Sequence, residues 1–563
     1  MSKHLRKAYY QHQAEETNPR KMWQMVNTLT GSNKKSSSAL QGLANAKSDG
    51  DIQLLADQIN KFFQSISNDL PPLQPASTTM ALDVPSQYIV SIESMESCLS
   101  QIKIHKAPGP DGVPNWVLRD FAPVLAGPLA SIVNASIRES FIPTIWKCAD
   151  VLPLPKVTPP MEIEKDLRPI SLTPAVSKAC MEHFIYKWLW DCVKDKIDPC
   201  QFGGKKGSST VYALIKLLHE WFTATDKLQT IVDVILIDYA KAFDHLNHYI
   251  IIQKLTDMNV PPILTQWVTA FLTDRQQRVK IGPTTSTWLH INGGVPQGTK
   301  LGPLLFLVMI NDLRPTNSTT KFIDDTTLHE VKPIIGPGQL QKSIDTVIEW
   351  SQANDMNLNP TKTKQLSINF SHQKQASQNL HISNQPIEKC NVVKLLGVLI
   401  QNDLKWDSHI HSVVQKASQR LHMISVLKHS GYDTEKLITV YITHIRSIME
   451  YACQVWHPSL TIALTQDLER IQVRTLKIAR PDLDYDNALK TFNLVSLVER
   501  RKNLCKKTFD KLKQSDNVLH HLLPNPRNKV YKTRSSKMYT SIKTRIKRTD
   551  GSFINYAVSA FMD

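Results

Sequence analysis

The chain has 563 residues, with 67 Lys and Arg against 50 Asp and Glu, a formal net charge of +17. That length predicts about three to four domain-sized units, and an apolar fraction of 41% with 11 Trp excludes wholesale disorder. The longest unbroken apolar stretch runs from Leu304 to Ile310, far below the roughly 18 residues that span a bilayer.

The N-terminal MSKHLRKAYYQHQ has no apolar core of a secretory signal. The eight Cys (98, 148, 180, 192, 200, 390, 453 and 505) form no C-x-x-C, so neither a zinc knuckle nor a disulfide framework is expected. These features predict an intracellular protein of the nucleus or cytoplasm, without signal peptide or membrane span. The positive excess points first to nucleic acid. It is unevenly spread: net +5 over residues 1–50, +1 over 51–500 and +11 over 501–563. Either basic end alone is more often a solvated tail. The two ends are nevertheless better candidates for nonspecific RNA or DNA tethering than the nearly neutral middle.

In chain order, residues 1–30 read as a polar helix and GSNKKSSS (31–38) as a linker. Leu54, Leu55, Ile59, Phe62 and Phe63 give 51–66 a helical spacing. A Pro/Ser/Thr-rich stretch over 70–86 is a second linker. Segments 121–141, 174–197 and 208–224 read as helices. The β-branched run from Ile231 to Ile237 reads as a buried strand, followed at once by Asp238. A helix is expected over 298–313, opening at a Pro-Gln-Gly-Thr turn. Residues 322–328 read as a hairpin with Asp324 and Asp325 at its bend. A helix at 339–353 precedes strand-like 358–368 and 392–400. Residues 408–428, 435–456 and 466–480 have the 3.6-residue spacing of an all-helical module.

Three acids carry the chemical reading. Carboxylates beside buried strands are costly unless paired with a cation. Mg²⁺ takes one or two carboxylates plus substrate phosphates. Two such ions about 4 Å apart activate an attacking hydroxyl and stabilise a leaving pyrophosphate oxygen. A strand end (Asp238) and a hairpin tip (Asp324, Asp325) are suited to converge in that way. By itself an Asp-Asp pair is more often a turn, and an Asp after an apolar strand is often only its polar stop. The surroundings decide.

Those surroundings are, in order, KAPGPDGVP (106–114), VLPLPK (151–156), DLRPISLTPAVSKACMEH (166–183), QFGGKKGSST (201–210), ILIDYAKAFDHLNH (235–248), GGVPQGTKLGPLLFLVMINDL (293–313), KFIDDTTL (321–328), LNPTKTK (358–364) and VVKLLGVLI (392–400). The series resembles the reverse transcriptases of non-LTR (LINE-type) retrotransposons, strongly over residues 95–400. RSIMEYACQVWHP (446–458), LERIQVRTLKIA (468–479) and, upstream, NPRKMWQMVNTLTG (18–31) extend it more weakly.

The resemblance implies an α+β right-hand polymerase: fingers, a palm with an antiparallel sheet, a helical thumb, and a helical C-terminal region. The corresponding division is 1–90 as an upstream helical and linker segment, 91–400 as fingers and palm, 401–500 as thumb and 501–563 as a basic tail. It implies an RNA-directed DNA polymerase extending a primer 3′-hydroxyl with dNTPs, with two Mg²⁺ (or Mn²⁺) on Asp238, Asp324 and Asp325. Lys156 and Arg168 match the cations that hold the triphosphate. Phe243 matches an aromatic that blocks the ribose 2′-hydroxyl. Gln297 and Gly298 match the nucleotide-contacting turn, and Lys362 a lysine that assists the leaving group. Gln201, Lys205 and Lys206 are expected on the template backbone, and Leu396 and Gly397 in a primer-grip hairpin.

The sequence departs from the family at Ile323, where a small residue is usual. LINE-type elements carry a nicking endonuclease, often upstream, and residues 1–70 are too short for one. The chain is expected to be a truncated copy, a gene-prediction fragment or a polymerase working with a separate endonuclease. Its expected partners are an RNA template, a DNA primer and dNTPs, with a separate endonuclease in the last of these cases. The competing reading is an inactive retroelement remnant that only binds nucleic acid.

Overall fold

The apolar run after Gln229 is observed as strand Thr230–Ile237, the middle of a five-stranded sheet. The order is Glu388–Lys389, Lys364–Ile368, Thr230–Ile237, Asp325–Pro333, Ser318–Phe322, and the middle strand pairs antiparallel with both neighbours. Side chains alternate between faces along a strand. Val232 and Val234 join a core with Leu214, Leu218 and Trp221 of helix Thr210–Thr225. Ile235 and Ile237 join a second core with Leu304, Leu305 and Val308 of helix Leu301–Met309. Burial on both faces explains why the strand reads as a continuous apolar run. The computed structural model describes residues 19–29, 36–74, 83–370, 378–526, 539–540 and 542–561.

A second sheet stands beside the first. Strand Cys148–Pro155 pairs antiparallel with Leu167–Leu172 and parallel with Arg275–Ile281. The predicted helix at 51–66 is observed as Ile52–Ser65, with Asp51 accepting the Gln53 and Leu54 N–H groups. Its Leu55, Ile59 and Phe63 pack on Val151, Val279 and Ile281. The upstream segment is thus part of this sheet's core. The protein is mixed α+β, as expected. Among the described residues no helix is long and apolar enough to cross a membrane.

Several expectations shift in detail. VVKLLGVLI is a hairpin, Val392–Leu395 with Val398–Gln401. Its two turn residues, Leu396 (φ 45°) and Gly397 (φ 87°), are both left-handed, as a type I′ turn requires. The helix predicted over 298–313 spans only Leu301–Met309. Residues 434–450 are helical with a π-type turn over Tyr441–Arg446, and the chain breaks at Ala452, φ 52°. The linker expected over 31–38 gives way to helix Ser36–Lys47, residues 31–35 lying outside the described set.

Residues 501–563, read from sequence as a basic tail, are built into the fold wherever they are described. Helix Leu497–Leu512 runs straight through position 501. Helix Phe553–Ala560 buries Phe553, Ile554, Ala557 and Val558 in the same core as Trp221. The Arg545 and Ile546 N–H groups donate to the Asp226 carboxylate (2.8–3.1 Å) at the end of helix Thr210–Thr225. The apolar stripe of FINYAVSAF outweighs the basic composition around it.

Candidate active site

The register of the central sheet assembles the acids. Ile237 pairs with Thr326 and Phe322 closes the hairpin with Asp325. Continuing the ladder by one residue sets Asp238 across from Asp325. The Asp238 N–H donates to Thr363 Oγ1 (3.2 Å), and its carbonyl accepts the Asn359 N–H (2.8 Å). Asn359 and Thr363 begin and end the turn that carries Lys362, so this turn is tied to the backbone of Asp238.

Burial raises the Asp238 carboxyl above its ordinary value. The Lys362 charge opposes that rise and the Asp324 charge adds to it. Asp238 Oδ2 is buried without a hydrogen-bond partner. Burial also raises Asp324, against the bonds it accepts from its own and the Asp325 backbone N–H and against the Arg168 charge. Asp325 is exposed at the turn's edge. Desolvation by the surrounding protein, then the charges of Asp324 and Asp238, push its carboxyl up to about 6. The three acids therefore act on one another.

Among the described residues no group of three or more His, Cys, Asp or Glu side chains is drawn together tightly enough to hold a metal. The Asp324 carboxylate is turned back onto its own turn's N–H groups. The donor set nevertheless fits a hard divalent cation: carboxylate oxygens, one of them buried and unpartnered.

The two cations predicted for the triphosphate lie exposed on adjacent strand ends. Arg168 pairs with Leu154 in the ladder, and the Lys156 N–H donates to Asp166 O (2.7 Å). Burial, then the Lys362 and Arg168 charges, lower the Lys156 pKa. Lys156, Arg168, Lys362 and the acids thus share one electrostatic neighbourhood. Phe243 is half-buried and stacked on Phe306, ring centroids 4.6 Å apart.

The Gly-rich loop before helix Leu301–Met309 is laced to its surroundings. Gly294 N–H donates to Leu246 O (2.8 Å) and Val295 N–H to Phe243 O (2.9 Å). Gln297 Nε2 donates to Asp244 Oδ1 (2.9 Å), and Ser171 N–H to Gln297 O (2.9 Å). At Gly298 (φ 137°) an added Cβ would fall 2.5 Å from Ser171 O. At the helix start, Glu182 Oε2 accepts the Lys300 N–H (2.6 Å) and the Leu301 N–H (3.4 Å), a carboxylate at a helix N-terminus.

Other predicted residues lie elsewhere. Gln201 is 3% exposed. Its amide bonds Ile323 and Gly203 instead of facing outward to a template. Lys205 is half-buried near Asp198 and Cys200, and Lys206 is exposed in the following loop. Leu396, at the tip of the 392–401 hairpin, lines a cleft with Asp238, Asp325 and Lys362. The tip is held from behind: Tyr451 OH donates to Leu396 O (2.7 Å), and a Cβ at Gly397 would sit 3.0 Å from the Tyr451 ring.

Sequence reasoning missed Asp244, Asn359, Thr363 and Glu182. Of these, Asp244 has a visible signal, an acid directly after the predicted gate Phe243. Loss of solvent raises its carboxyl to about 6, against the Gln297 bond and the charges of Lys241, Lys156 and Arg168.

Residues 154–400, which hold all of these acids and loops, match the family described as reverse transcriptase (RNA-dependent DNA polymerase). This segment is a reverse transcriptase domain. The chain is 25% identical to the probable RNA-directed DNA polymerase from transposon BS of Drosophila melanogaster, over 80% of this chain and 52% of that protein. It is 24% identical to the RNA-directed DNA polymerase from mobile element jockey of the same organism, over 69% and 43%. A third relative is the Pol polyprotein from the type-1 retrotransposable element R2 of Popillia japonica, 24% identical over 46% and 37%. These relatives agree with the expected LINE-type reverse transcriptase. The chain spans about half the length, or less, of the curated relatives it matches. Reverse transcriptases generally depend on a divalent metal, which agrees with the carboxylate donor set.

Proposed function

We propose that the chain is an RNA-directed DNA polymerase that adds dNTPs to a primer 3′-hydroxyl on an RNA template. The observation that carries this reading is the sheet register that sets Asp238 beside Asp324 and Asp325 within a reverse transcriptase domain. In this reading the central sheet is the palm, the sheet of 148–172 and 275–291 belongs to the fingers, and the helices after 401 form the thumb. The division at 90, 400 and 500 serves as a functional one, with helix Phe553–Ala560 joined to the core shared by the helices after 401.

Asp238, Asp324 and Asp325 would hold two Mg²⁺ ions, or Mn²⁺. When bound, such ions lower the pKa of the primer hydroxyl and neutralise charge on the departing pyrophosphate. Lys156 and Arg168 grip the triphosphate, Arg through its planar fork. Lys362, on the turn tied to Asp238 through Asn359 and Thr363, would give a proton to the leaving group. Phe243, fixed by stacking on Phe306, excludes a 2′-hydroxyl, which selects dNTPs. Gln297, oriented by Asp244, contacts the nucleotide. Lys205 and Lys206 meet template backbone, and the 392–401 hairpin supports the primer.

The deciding experiment is primer extension on an RNA template by the purified chain, with Asp324→Ala as the control. Extension by the parent and none by the variant is expected. A protein that only binds nucleic acid would keep salt-sensitive duplex binding and incorporate nothing; equal extension by both proteins would refute the site. Gly298→Ala tests the Gly-rich loop. Its Cβ would collide with the Ser171 carbonyl, forcing the loop off the strand that carries Arg168. Displacements near 1 Å are worth about 10²-fold in rate, so kcat/KM for dNTP should fall on that scale. Duplex affinity should hold. An unchanged kcat/KM would show that the loop does not meet the nucleotide.

A further inference from the structure

The segment Asp198–Gly203 lies along the outer edge of the acid-bearing hairpin. Lys321 N–H donates to Cys200 O (2.9 Å) and Phe202 N–H to Lys321 O (2.8 Å), so Gln201 pairs with Lys321 as an added parallel strand would. Two residues further, at Ile323, a side chain takes over from the backbone. Gln201 Oε1 accepts the N–H of Ile323 (2.9 Å) and the N–H of Gly203 (2.8 Å). Its Nε2 donates to Ile323 O at 3.4 Å. A neutral amide supplies an acceptor and a donor from one rigid plane, and both ends are used on the same residue.

The residue so held is strained. Ile323 has φ +60°, and its turn partner Asp324 is not left-handed. That pattern belongs to a type II′ turn, whose first position is ordinarily Gly. A β-branched side chain there is a genuine outlier. Room for it comes from Gly203, where an added Cβ would lie 2.5 Å from both Ile323 Cγ1 and Ile323 N. Asp324 follows immediately, so the conformation of Ile323 decides where both acids point.

We infer that Gln201 is a positioning residue for the carboxylates: by holding the strained Ile323 peptide, it sets the turn that presents Asp324 and Asp325, and thereby the affinity for divalent cation. It does this without touching cation or template. The inference rests on the polymerase reading of that site, and its test separates the two.

Gln201→Met keeps the volume and removes both hydrogen bonds. Mn²⁺ binding is followed by the electron paramagnetic resonance of the free ion, independently of turnover, and primer extension is followed in parallel. Removing a group that orients ligands typically costs 10- to 100-fold in metal affinity, so Gln201→Met should weaken Mn²⁺ binding about tenfold. The template–primer KM should stay within about twofold, since the group acts through another residue. The same substitution in an Ile323→Gly background should cost less than about twofold, because Gly accepts that φ without being held.

Duplex binding in EDTA, which needs the fold but not the cation, verifies each variant. If Gln201→Met does not fold, Gln201→Asn, one methylene too short to reach, carries the same expectations. A raised template KM with unchanged Mn²⁺ affinity would overturn the inference in favour of a template contact. Equal losses in the parent and in the Ile323→Gly background would overturn it too. Asp324-dependent Mn²⁺ binding that needs Gln201, in a parent that never extends a primer, would leave it standing and remove the polymerase reading instead.

Discussion

Asp238→Asn is expected to lower primer extension by about a thousandfold and, in metal-free buffer, to raise the melting temperature. Both effects have one cause. Asp238 is half-buried, its Oδ2 has no partner, and its carboxyl is raised by burial first and then, against Lys362, by Asp324. Asp325 is raised to about 6 by the same neighbourhood. A carboxyl whose folded pKa exceeds its unfolded one binds more protons in the folded state across the interval between the two values. Stability from that group is therefore lost as pH rises through the interval, and the loss is complete above the folded pKa. For Asp325 the interval runs from the ordinary carboxylate value of 3.8 to about 6.

At neutral pH all three charges are held at a cost to the fold. Asp238→Asn removes one and relieves the other two. In calorimetry with EDTA the variant should melt above the parent, by a margin that grows as pH rises through that interval, from about 4 to about 6, and levels off above it. Divalent cation should reverse the order, because only the parent then gains binding energy. A variant that melts lower in EDTA would mean that Asp238 is held by structural partners, and that its loss of activity reports damage to the fold. A destabilised cluster of like charges is what a cation site retains for function.

The acids were legible because a strand with both faces buried leaves a continuous β-branched run, and a charge placed directly after it stands out. Their convergence was not legible. It depends on pairing Ile237 with Thr326, and local pattern does not choose partners so distant in sequence. Gln201 shows the limit from the other side. A polar residue followed by Phe-Gly-Gly-Lys-Lys reads as solvent-facing, whereas its amide is sealed against Ile323. The signal was present across the chain, in a β-branched residue at a turn position that small residues normally take. The C-terminal segment was misread by averaging. Net charge over 501–563 is dominated by Lys, and it hides both the apolar stripe of 553–561 and Arg501, which is fully buried. Likewise Leu396 carries no turn chemistry, so the apolar pattern at 392–400 read as strand, and only the resemblance pointed to the hairpin that turns at 396–397.

Lys321→Met is expected to destabilise the protein by about 3–5 kcal/mol, the cost of leaving a buried charge without its partner. Lys321 is fully buried, and its ammonium meets Asp198 Oδ2 at 2.7 Å, Leu313 O at 2.7 Å and Ile310 O at 3.0 Å. Three protons thus have three acceptors, two of them carbonyls just past the end of helix Leu301–Met309, where a cation complements the dipole. Burial raises the Asp198 carboxyl, but the bond and charge of Lys321 outweigh it and hold the group below its ordinary value.

A lowered carboxyl contributes stability that is present above the unfolded pKa and lost as pH falls through the folded one. The urea-measured penalty of Lys321→Met should therefore be largest near neutrality and shrink on acidification, as the stranded carboxyl takes up a proton. Adding Asp198→Asn should recover at least about half of it, since removing both charges costs far less than removing one. The Asn still accepts the Cys200 N–H that Asp198 accepts at 2.9 Å. A penalty below about 1 kcal/mol would be that of a surface pair, and would mean that the backbone ladder alone holds the hairpin. The predicted larger value makes this ion pair the anchor from which the hairpin extends to Asp324, with the Gln201 amide fixing its last turn.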